Sequence, residues 1–254
     1  MDIEFYRHYA DALESARPPA WRYDESKPCG VNYNSFFLAG LYDARHEMFR
    51  DYRKETEQIV TKLGLGPSAA VIDMGCGTGA FAIHAAEHYR KIHAVDVSGA
   101  MLRRARRKAR RAGLTNIEFH RGGFLTYEHQ GKPVDAAVCV AVLHHLPDFW
   151  KLVGLHRLAS MLKPNGRLFL FDVVYSFDVA QYESCIKRFL NIMSMRMGLD
   201  GVAVSEIHLR EEYSTFGWIM AGLLERAGFK IDDVTRTDDF HAGYLCTRRT
   251  ERES

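Results

Sequence analysis

Residues 69–81 read Ala-Ala-Val-Ile-Asp-Met-Gly-Cys-Gly-Thr-Gly-Ala-Phe, an apolar run that ends in Asp73 and passes into three alternating glycines. This order predicts a buried strand, a tight turn and the first turn of a helix. Glycine lacks a Cβ and tolerates positive φ, so the turn can fold sharply and let a ligand lie against bare backbone. The carboxylate of Asp73, directly before the turn, has the wrong charge for a pyrophosphate. The stretch therefore predicts a ligand site at the end of a buried strand and disfavours a dinucleotide there.

The bulk composition is that of an ordinary soluble protein. The 254 residues include 47% hydrophobic and 26% charged side chains, and the net charge of +2 gives no global reason to expect a nucleic-acid or membrane partner. The five cysteines are scattered and never paired as CxxC, which argues against a disulfide framework and a zinc site. The first residues lack the pattern of a signal peptide, and no apolar run is long enough to cross a bilayer. We therefore expect a cytoplasmic protein without a bound metal.

Runs that suit strands alternate with runs that suit helices along most of the chain. Predicted strands cover 69–73, 92–96, 117–120, 134–140 and 167–173, and predicted helices cover 79–89, 99–112, 149–162, 178–197 and 211–227. Such alternation indicates a parallel sheet with helices on both faces. Two final strands, 229–236 and 240–247, predict an antiparallel hairpin. The expected fold class is α/β: a Rossmann-like, doubly wound, mostly parallel seven-stranded sheet with an antiparallel C-terminal hairpin strand.

A second acidic residue ends the second predicted strand. Asp96 closes the run Ile-His-Ala-Val-Asp and follows Gly75 by 21 residues, as a βαβ unit requires. In an open α/β sheet, ligands bind beyond the carboxyl ends of the strands, where the strand order reverses. A carboxylate at that point is well placed to accept hydrogen bonds from both hydroxyls of an adenosine ribose.

Several blocks of the sequence resemble the class I S-adenosylmethionine-dependent methyltransferases. The matching blocks are Val-Ile-Asp-Met-Gly-Cys-Gly-Thr-Gly (71–79), Ala-Val-Asp-Val-Ser-Gly-Ala-Met-Leu (94–102), Val-Cys-Val-Ala-Val-Leu-His-His-Leu (138–146) and Leu-Lys-Pro-Asn-Gly-Arg-Leu (162–168). A later block, Glu-Arg-Ala-Gly-Phe (225–229), is similar to the small-molecule, type 11/12-like branch of that family. The resemblance covers about residues 43–173 and, less closely, 211–247.

The resemblance implies S-adenosylmethionine (SAM) as cofactor, S-adenosylhomocysteine (SAH) as product, and a set of binding residues. Asp73 would orient the amino-acid end of the cofactor, Asp96 would hold the ribose, and the glycine turn would pass close to the ligand. The other implied cofactor-binding residues are Gly75, Cys76, Gly77 and Gly79 in the turn, Val97, Met101, Gly123 and Phe124 around the adenine, and Val140. Many relatives have Asp where this chain has Gly123, so the hydrogen bond to the adenine amino group is expected from backbone or water.

The resemblance also suggests a lid. We expect residues 1–42 to form a helical, aromatic extension that covers the cofactor, ahead of a methyltransferase domain at 43–250 with a helical insertion at about 176–210. Within the segment Tyr42-Asp43-Ala44-Arg45, Tyr42 would offer an aromatic face to the sulfonium and Arg45 would meet the cofactor carboxylate. Plain packing of the extension on the sheet is the alternative.

Methyl transfer from a sulfonium is an in-line displacement on an activated carbon, so the protein must chiefly align the nucleophile and exclude water. His144 and His145 follow the fourth strand at the expected mouth of the acceptor site, and either is a candidate general base. At least one of the two is expected to cap and pack the next helix instead. Asp172 and Tyr175 end the fifth strand beside the same cleft and are candidate substrate contacts. Weaker candidates, expected at the surface or on an edge strand, are His208, His241 and Tyr244.

The expected partner is a small-molecule methyl acceptor, with no membrane and no nucleic acid, in a monomer or homodimer. A run of seven basic residues between Arg103 and Arg111 keeps an RNA-modifying methyltransferase open as an alternative, although apolar residues at helical spacing predict that these charges form a solvated helix face. A non-catalytic cofactor-binding protein is the third possibility. A nicotinamide-dependent oxidoreductase is disfavoured because a pyrophosphate would lie against Asp73.

Overall fold

The computed structural model describes residues 19–30 and 50–250. Its helices are α1 (Tyr52–Leu63), α2 (Ala80–Ala85), α3 (Gly99–Arg111), α4 (Asp148–Met161), α5 (Tyr182–Glu211) and α6 (Gly217–Arg226). Its strands are β1 (Ala70–Met74), β2 (Lys91–Asp96), β3 (Ile117–Arg121), β4 (Val134–Val140), β5 (Leu162–Tyr175), β6 (Thr215–Phe216), β7 (Phe229–Arg236) and β8 (His241–Arg248). The predicted alternation of strands and helices is confirmed, including the antiparallel pair at the C-terminal end.

Seven strands form a continuous sheet in the order β3-β2-β1-β4-β5-β8-β7, and the two-residue strand β6 pairs with β5 in addition. The pairs from β3 to β5 are parallel, whereas β8 runs antiparallel to both β5 and β7. The chain order reverses between β1 and β4, which places the ligand crevice of a doubly wound sheet at the ends of these two strands. This is the Rossmann-like architecture that the sequence predicts.

Helices cover both faces of the central strands. Core side chains from α1 and α2 pack on one face around Val71 and Val138, and core side chains from α4 and α6 pack on the other face around Ile72 and Leu170. The strand interiors are therefore continuous apolar runs, as expected for parallel strands that are buried on both sides.

Three helix boundaries differ from the prediction. The helix expected at 79–89 stops at Ala85 because the side-chain amide of Asn116 donates to the carbonyls of Ala86 and Tyr89, at 2.7 and 2.8 Å. The helix expected at 178–197 becomes α5, which extends to Glu211 with a non-helical residue at Gly198 (φ 65°). The helix expected from residue 211 starts at Gly217, because residues 212–216 include β6 and reach back to the site.

The basic run lies on α3. Its apolar residues Leu102, Ala105 and Ala109 are buried, while most of its arginines are exposed. Arg106 donates to the carbonyl of Phe119 at 3.0 Å and covers that ring. The predicted solvated face is thus confirmed. Across residues 19–30 and 50–250, no helix is both long and apolar enough to span a membrane.

Candidate functional site

The glycine turn after β1 has the backbone that the sequence predicts. Gly75 has φ of 74°, and its N–H and that of Cys76 donate to the carbonyl of Val95 at 2.8 and 2.9 Å. A Cβ on Gly75 would lie 2.3 Å from the side chain of Val142, so this position is closed to any other residue without rearrangement. Gly79 also has positive φ, but it faces Ala105 on α3 and serves helix packing rather than a cavity.

Asp73 is a buried carboxylate with an unused acceptor. Its side chain accepts a hydrogen bond from the backbone of Ala82, but Oδ2 has no hydrogen-bond partner among the described residues. Burial, with a smaller contribution from the nearby Asp96, raises the pKa of this carboxyl to about 7 despite the hydrogen bond from Ala82. A buried acceptor without a donor is costly, and an ammonium group would supply both the donor and the missing positive charge. Asp73 therefore fits the α-amino group of SAM.

Asp96 joins the glycine turn to the end of β2. Its Oδ2 accepts from the backbone N–H of Gly77 at 2.8 Å, and its Oδ1 accepts from that of Ser98 at 2.7 Å. Burial raises the pKa of this carboxyl, while the two backbone donors favour its charged form. A carboxylate has further lone pairs beyond these two contacts, so it can also accept from a ribose.

Three cavities adjoin these residues, and all three are lined by Val140 at the end of β4. The first cavity, called the slot below, has a volume of about 160 Å³ and extends from Met74 and Gly75 past Asp96 to Phe124. The turn cavity holds Asp73, Cys76 and the glycine backbone. Eight of the implied cofactor residues line the slot: Gly75, Gly77, Asp96, Val97, Met101, Gly123, Phe124 and Val140.

The large cavity has a volume of about 590 Å³ and lies over β5 and β8, between α1 and the first half of α5. Its walls are mostly aromatic and aliphatic: Ile59, Phe169, Phe171, Phe189, Met193, Met197, Tyr244 and Leu245. Polar groups at its wall include Arg50, Asp172 and His241. Tyr244 was expected on an edge strand; that prediction is wrong, because β8 lies between β5 and β7 and Tyr244 is 2% exposed.

His144 lies between two carboxylates. Its Nδ1 is 2.5 Å from Oδ1 of Asp172, and its Nε2 is 3.2 Å from Oε2 of Glu212. Burial lowers the pKa of this imidazole, but the two carboxylates outweigh burial and raise the pKa to about 9. Oδ2 of Asp172 also accepts from the backbone N–H of Leu143 at 2.7 Å. His144 is therefore a charged, locked side chain, which matches the expectation that one of the paired histidines packs the helix start.

The segment before α6 brings Glu212 to this pair. The fully buried amine of Lys151 donates to the carbonyl of Tyr213 and lies 2.6 Å from Asp148, while the N–H of Tyr213 donates to the carbonyl of His144 at 2.8 Å. Glu212 is also ion-paired with His208, and its pKa lies well below the usual range because the two histidines outweigh burial. His208 was expected at the surface, but it lies half-buried beside the ring of His144, with ring centroids 4.9 Å apart.

His145 differs from its neighbour in every respect that matters for proton transfer. It lines the slot, and its Nδ1 has no hydrogen-bond partner among the described residues. Burial and the charge of His144 lower its pKa to about 4, so the ring is neutral at pH 7. The turn that carries it starts at Ala141, whose φ of 53° is unusual for a residue with a Cβ. His145 therefore places a neutral ring at the wall of the slot.

The other predicted contact at this end, Tyr175, lies away from the slot. It lines none of the three cavities and packs among Phe177, Phe216 and Phe240. Of the predicted cofactor contacts, Tyr42 and Arg45 lie outside the described residues. His144, His145 and Glu212 also offer atoms within 4.8 Å of one another that could ligate a metal, although His144 and Glu212 already satisfy each other as an ion pair.

Residues 19–30 pack across the slot. Trp21 stacks on Trp150 with ring centroids 6.3 Å apart, and the hydroxyl of Tyr23 donates to the carbonyl of His145 at 3.2 Å. Residues 25–29 line the slot directly. Three residues at these cavities and the His144 cluster carry no sequence signal, because none belongs to a motif and each reaches its position from a distant part of the chain: Glu25, Arg50 and Glu212.

Comparison with known proteins agrees with this geometry. Residues 71–166 match the family model described as a methyltransferase domain. The chain is 23% identical over 184 residues to the uncharacterized methyltransferase GK2543 of Geobacillus kaustophilus, an alignment that covers 72% of this chain and 79% of that protein. Several other curated relatives match over only about half of their own length or less.

Two further matches are a short stretch shared with an rRNA methyltransferase and a solved structure with a similar fold. A stretch of 68 residues is 41% identical to 23S rRNA (uracil(1939)-C(5))-methyltransferase RlmD of Alcanivorax borkumensis, but it covers 27% of this chain and 15% of that protein. The fold is that of magnesium protoporphyrin IX methyltransferase from Synechocystis, solved with bound SAH: the TM-score is 0.61 at 20% identity, over 84% of this chain and 96% of that chain. With the sequence blocks and the doubly wound sheet, these matches support a class I S-adenosylmethionine-dependent methyltransferase, to which residues 71–166 are similar as a methyltransferase domain.

Proposed function

We propose that the protein transfers a methyl group from SAM to a small, largely apolar acceptor bound in the large cavity. The observation that carries this proposal is that one residue, Val140, lines the slot, the turn cavity and the large cavity. Ligand sites of this size and apolar lining typically enclose small molecules. A cofactor held in the first two cavities would point its reactive end toward the third.

Each binding residue contacts a different part of the cofactor in this proposal. Asp73 receives the α-amino group, Asp96 accepts hydrogen bonds from the ribose, and the apolar side chains of Val97, Met101 and Phe124 flank the adenine. When bound, SAM supplies an activated methyl carbon. The protein's own contribution is to align the acceptor with that carbon along the line to the sulfur and to keep water out.

His145 lines the slot and not the large cavity, so it is the proposed base only for an acceptor that reaches from the large cavity to the slot and arrives protonated. Its ring is neutral at pH 7 and can take up a proton, although its lowered pKa of about 4 makes it a weak base, whereas the charged ring of His144 cannot take up a proton. Asp172 and Glu212 then serve to hold His144 rigid behind it. An acceptor that is already ionised needs no base, and such a reaction would not depend on His145.

The RNA alternative has less support. The match to an rRNA methyltransferase covers 15% of that protein, and none of the residues from Arg103 to Arg111 lines the slot, the turn cavity or the large cavity. An RNA substrate would also have to place a base in the large cavity, and the walls of that cavity are mostly apolar.

A labelling experiment separates these functions. The protein is incubated with SAM labelled in the methyl group, together with either a small-molecule extract or total RNA, and the label is followed into each fraction. Label in the small-molecule fraction, lost in Asp96→Ala, is the expected result. Label in RNA alone supports the alternative, and SAH binding without any transfer supports a non-catalytic protein.

A further inference from the structure

Two carboxylates line the slot, Asp96 and Glu25. Asp96 lies at the end of β2 and is proposed above to hold the ribose. Glu25 comes from the segment 19–30 and contacts a turn 100 residues further along the chain. Glu25 shares the lining of the slot with Val97, Gly123 and Phe124, the residues that the family resemblance implies around the adenine.

Glu25 is held in place by donors from residues 125 and 126. Its Oε1 accepts from the backbone N–H of Leu125 at 3.0 Å and from the hydroxyl of Thr126 at 2.6 Å, and its Oε2 lies 3.1 Å from the same N–H. Arg22 donates to the carbonyl of Leu125 and fixes the same segment from the other side. A carboxylate offers about four acceptor positions, so Oε2 keeps capacity for a ligand.

The carboxylate of Glu25 occupies the space of a missing side chain. A Cβ on Gly123 would lie 2.5 Å from Oε2 of Glu25 and 2.8 Å from Cγ1 of Val97. Gly123 does not have a positive φ, so its backbone does not demand glycine. The glycine is needed because Glu25 and Val97 fill the space beside it.

We propose that Glu25 accepts a hydrogen bond from the exocyclic amine of the cofactor's adenine and so selects adenine over a 6-oxopurine. This inference rests on the proposed use of SAM. The amine is a donor and suits a carboxylate, whereas a 6-oxo group would bring a second acceptor against it. A site that hydrogen-bonds a particular group rejects an analogue that leaves its own buried group unpaired.

An anchoring role alone would predict a different behaviour. In Glu25→Gln one oxygen remains to accept from Leu125 and Thr126, so the segment stays attached, but an NH₂ donor replaces the second oxygen. If Glu25 only anchors the segment, this variant leaves the base preference unchanged. If Glu25 reads the base, the variant loses the preference, because the amide can donate to a 6-oxo group.

Calorimetry with two ligands tests the proposal without any turnover. The dissociation constants of SAH and of S-inosylhomocysteine, its 6-oxo analogue, are measured for the wild type, Glu25→Gln and Asp24→Asn. Asp24 is the matched control, because it is an exposed neighbouring carboxylate that does not line the slot. We expect the wild type to prefer SAH by at least roughly 10-fold, Glu25→Gln to shift that ratio by roughly 10- to 100-fold toward the analogue, and Asp24→Asn to keep the wild-type ratio.

A relocated carboxylate provides the second test. Glu25→Ala frees the space that Glu25 takes beside Gly123, and the double variant Glu25→Ala/Gly123→Asp returns a carboxylate there from another part of the chain, with a small shift of the Val97 side chain. We expect the first variant to bind SAH roughly 10-fold more weakly or worse and the double variant to recover most of this loss. Thermal unfolding of each variant checks that the fold is kept.

The outcomes distinguish the two proposals. An unchanged ligand ratio in Glu25→Gln, with tight SAH binding, overturns the role of Glu25 and leaves the proposed function standing. Failure of the folded wild type to bind SAH overturns both.

Discussion

The two ring nitrogens of His144 face two carboxylates: Nδ1 lies 2.5 Å from Asp172, and Nε2 lies 3.2 Å from Glu212. A neutral imidazole has one N–H and can donate to only one of them, so the arrangement requires the doubly protonated ring. The raised pKa of His144 follows from this geometry. The buried cluster thus holds His144 in its charged form, in which it cannot act as a base. His145 stays neutral and lines the slot.

Removing one partner of this cluster should cost much stability. Asp172→Asn leaves the charge of His144 with one carboxylate fewer in a buried environment, and we expect a loss of about 3–5 kcal/mol in the free energy of unfolding. Urea unfolding followed by circular dichroism measures it. Asp178→Asn, which changes an exposed capping carboxylate, should cost about 1 kcal/mol or less. Equal losses in the two variants would show that the buried pair of Asp172 and His144 contributes no more to the free energy of unfolding than an exposed helix cap.

The same cluster predicts a pH dependence. The folded-state pKa of His144, about 9, is raised above its unfolded value near 6.5. Its contribution is therefore fully present below pH 6.5 and is lost as the pH rises through 9. The difference in unfolding free energy between the wild type and His144→Gln should shrink by about 3 kcal/mol over that range. A constant difference from pH 6 to 10 would contradict the protonated state assigned to His144.

The central sheet and the cofactor half of the site could be predicted from the sequence because their signals are local. The glycine turn, Asp73 and Asp96 lie at strand ends within one βαβ unit, where spacing fixes position. Eight of the implied residues do line the slot for this reason. Tyr175 does not line the slot. Side chains alternate between the two faces of a strand, and on β5 this alternation directs Tyr175 toward Phe177, which the end of a predicted strand does not reveal.

The residues that reach the site from distant parts of the chain could not be predicted in the same way. Glu212 reaches His144 only because the buried amine of Lys151 holds the carbonyl of Tyr213, a contact between residues 62 positions apart. Glu25 reaches its position through contacts across 100 residues. Such placements depend on tertiary packing and leave no periodic pattern in the sequence. The predicted position of Tyr244 on an edge strand was wrong for a related reason. The order of strands in a sheet does not follow their order in the chain, and β8 lies between β5 and β7.

The Asp73 carboxylate should lower the free energy of unfolding at high pH and should be needed for cofactor binding. Its folded-state pKa of about 7 is raised above the unfolded value of 3.8, so the folded protein binds the extra proton and stability falls as the pH rises from about 4 to 7. Asp73→Asn removes this penalty, which is at most about 4 kcal/mol, and should unfold at higher urea than the wild type at pH 8. The same variant should lose SAH binding, measured by calorimetry. A variant that is less stable at pH 8, or that binds SAH normally, would refute the assignment.

His145→Gln should separate chemistry from binding. With the acceptor recovered from the labelling experiment, we expect kcat to fall by roughly 100- to 10,000-fold if the acceptor must be deprotonated. SAH affinity and unfolding free energy should change little, because Nδ1 of His145 makes no hydrogen bond within the described part of the chain. In the wild type, the lowered pKa of about 4 predicts that His145 causes no change in kcat/KM between pH 6 and 8. Full activity of the variant would show that the acceptor needs no base or that another group provides it.

The glycines of the turn should respond differently to the same substitution. Gly75 and Gly77 both have positive φ, at 74° and 53°, so alanine at either position costs about 1–2 kcal/mol of backbone strain. Only at Gly75 does the new Cβ also meet a side chain, 2.3 Å from Val142, whereas at Gly77 nothing lies within 4 Å. Gly75→Ala should therefore be the less stable variant by roughly 1–3 kcal/mol. Val142→Ala removes the methyl groups at 2.3 and 3.0 Å but keeps its own Cβ at 2.7 Å, so in combination with Gly75→Ala it should return only part of that difference, through a favourable coupling of about 1 kcal/mol.

Urea unfolding of the four variants Gly75→Ala, Gly77→Ala, Val142→Ala and the double variant measures this coupling. SAH titration gives the complementary readout. Because the space beside Gly77 belongs to the slot, its new methyl group would occupy room needed by the cofactor, and Gly77→Ala should weaken SAH binding while unfolding close to the strain cost alone. If the two glycines lose equal stability, or if Val142→Ala brings no recovery, then the glycine at 75 is retained for its backbone conformation and not for its close approach to Val142.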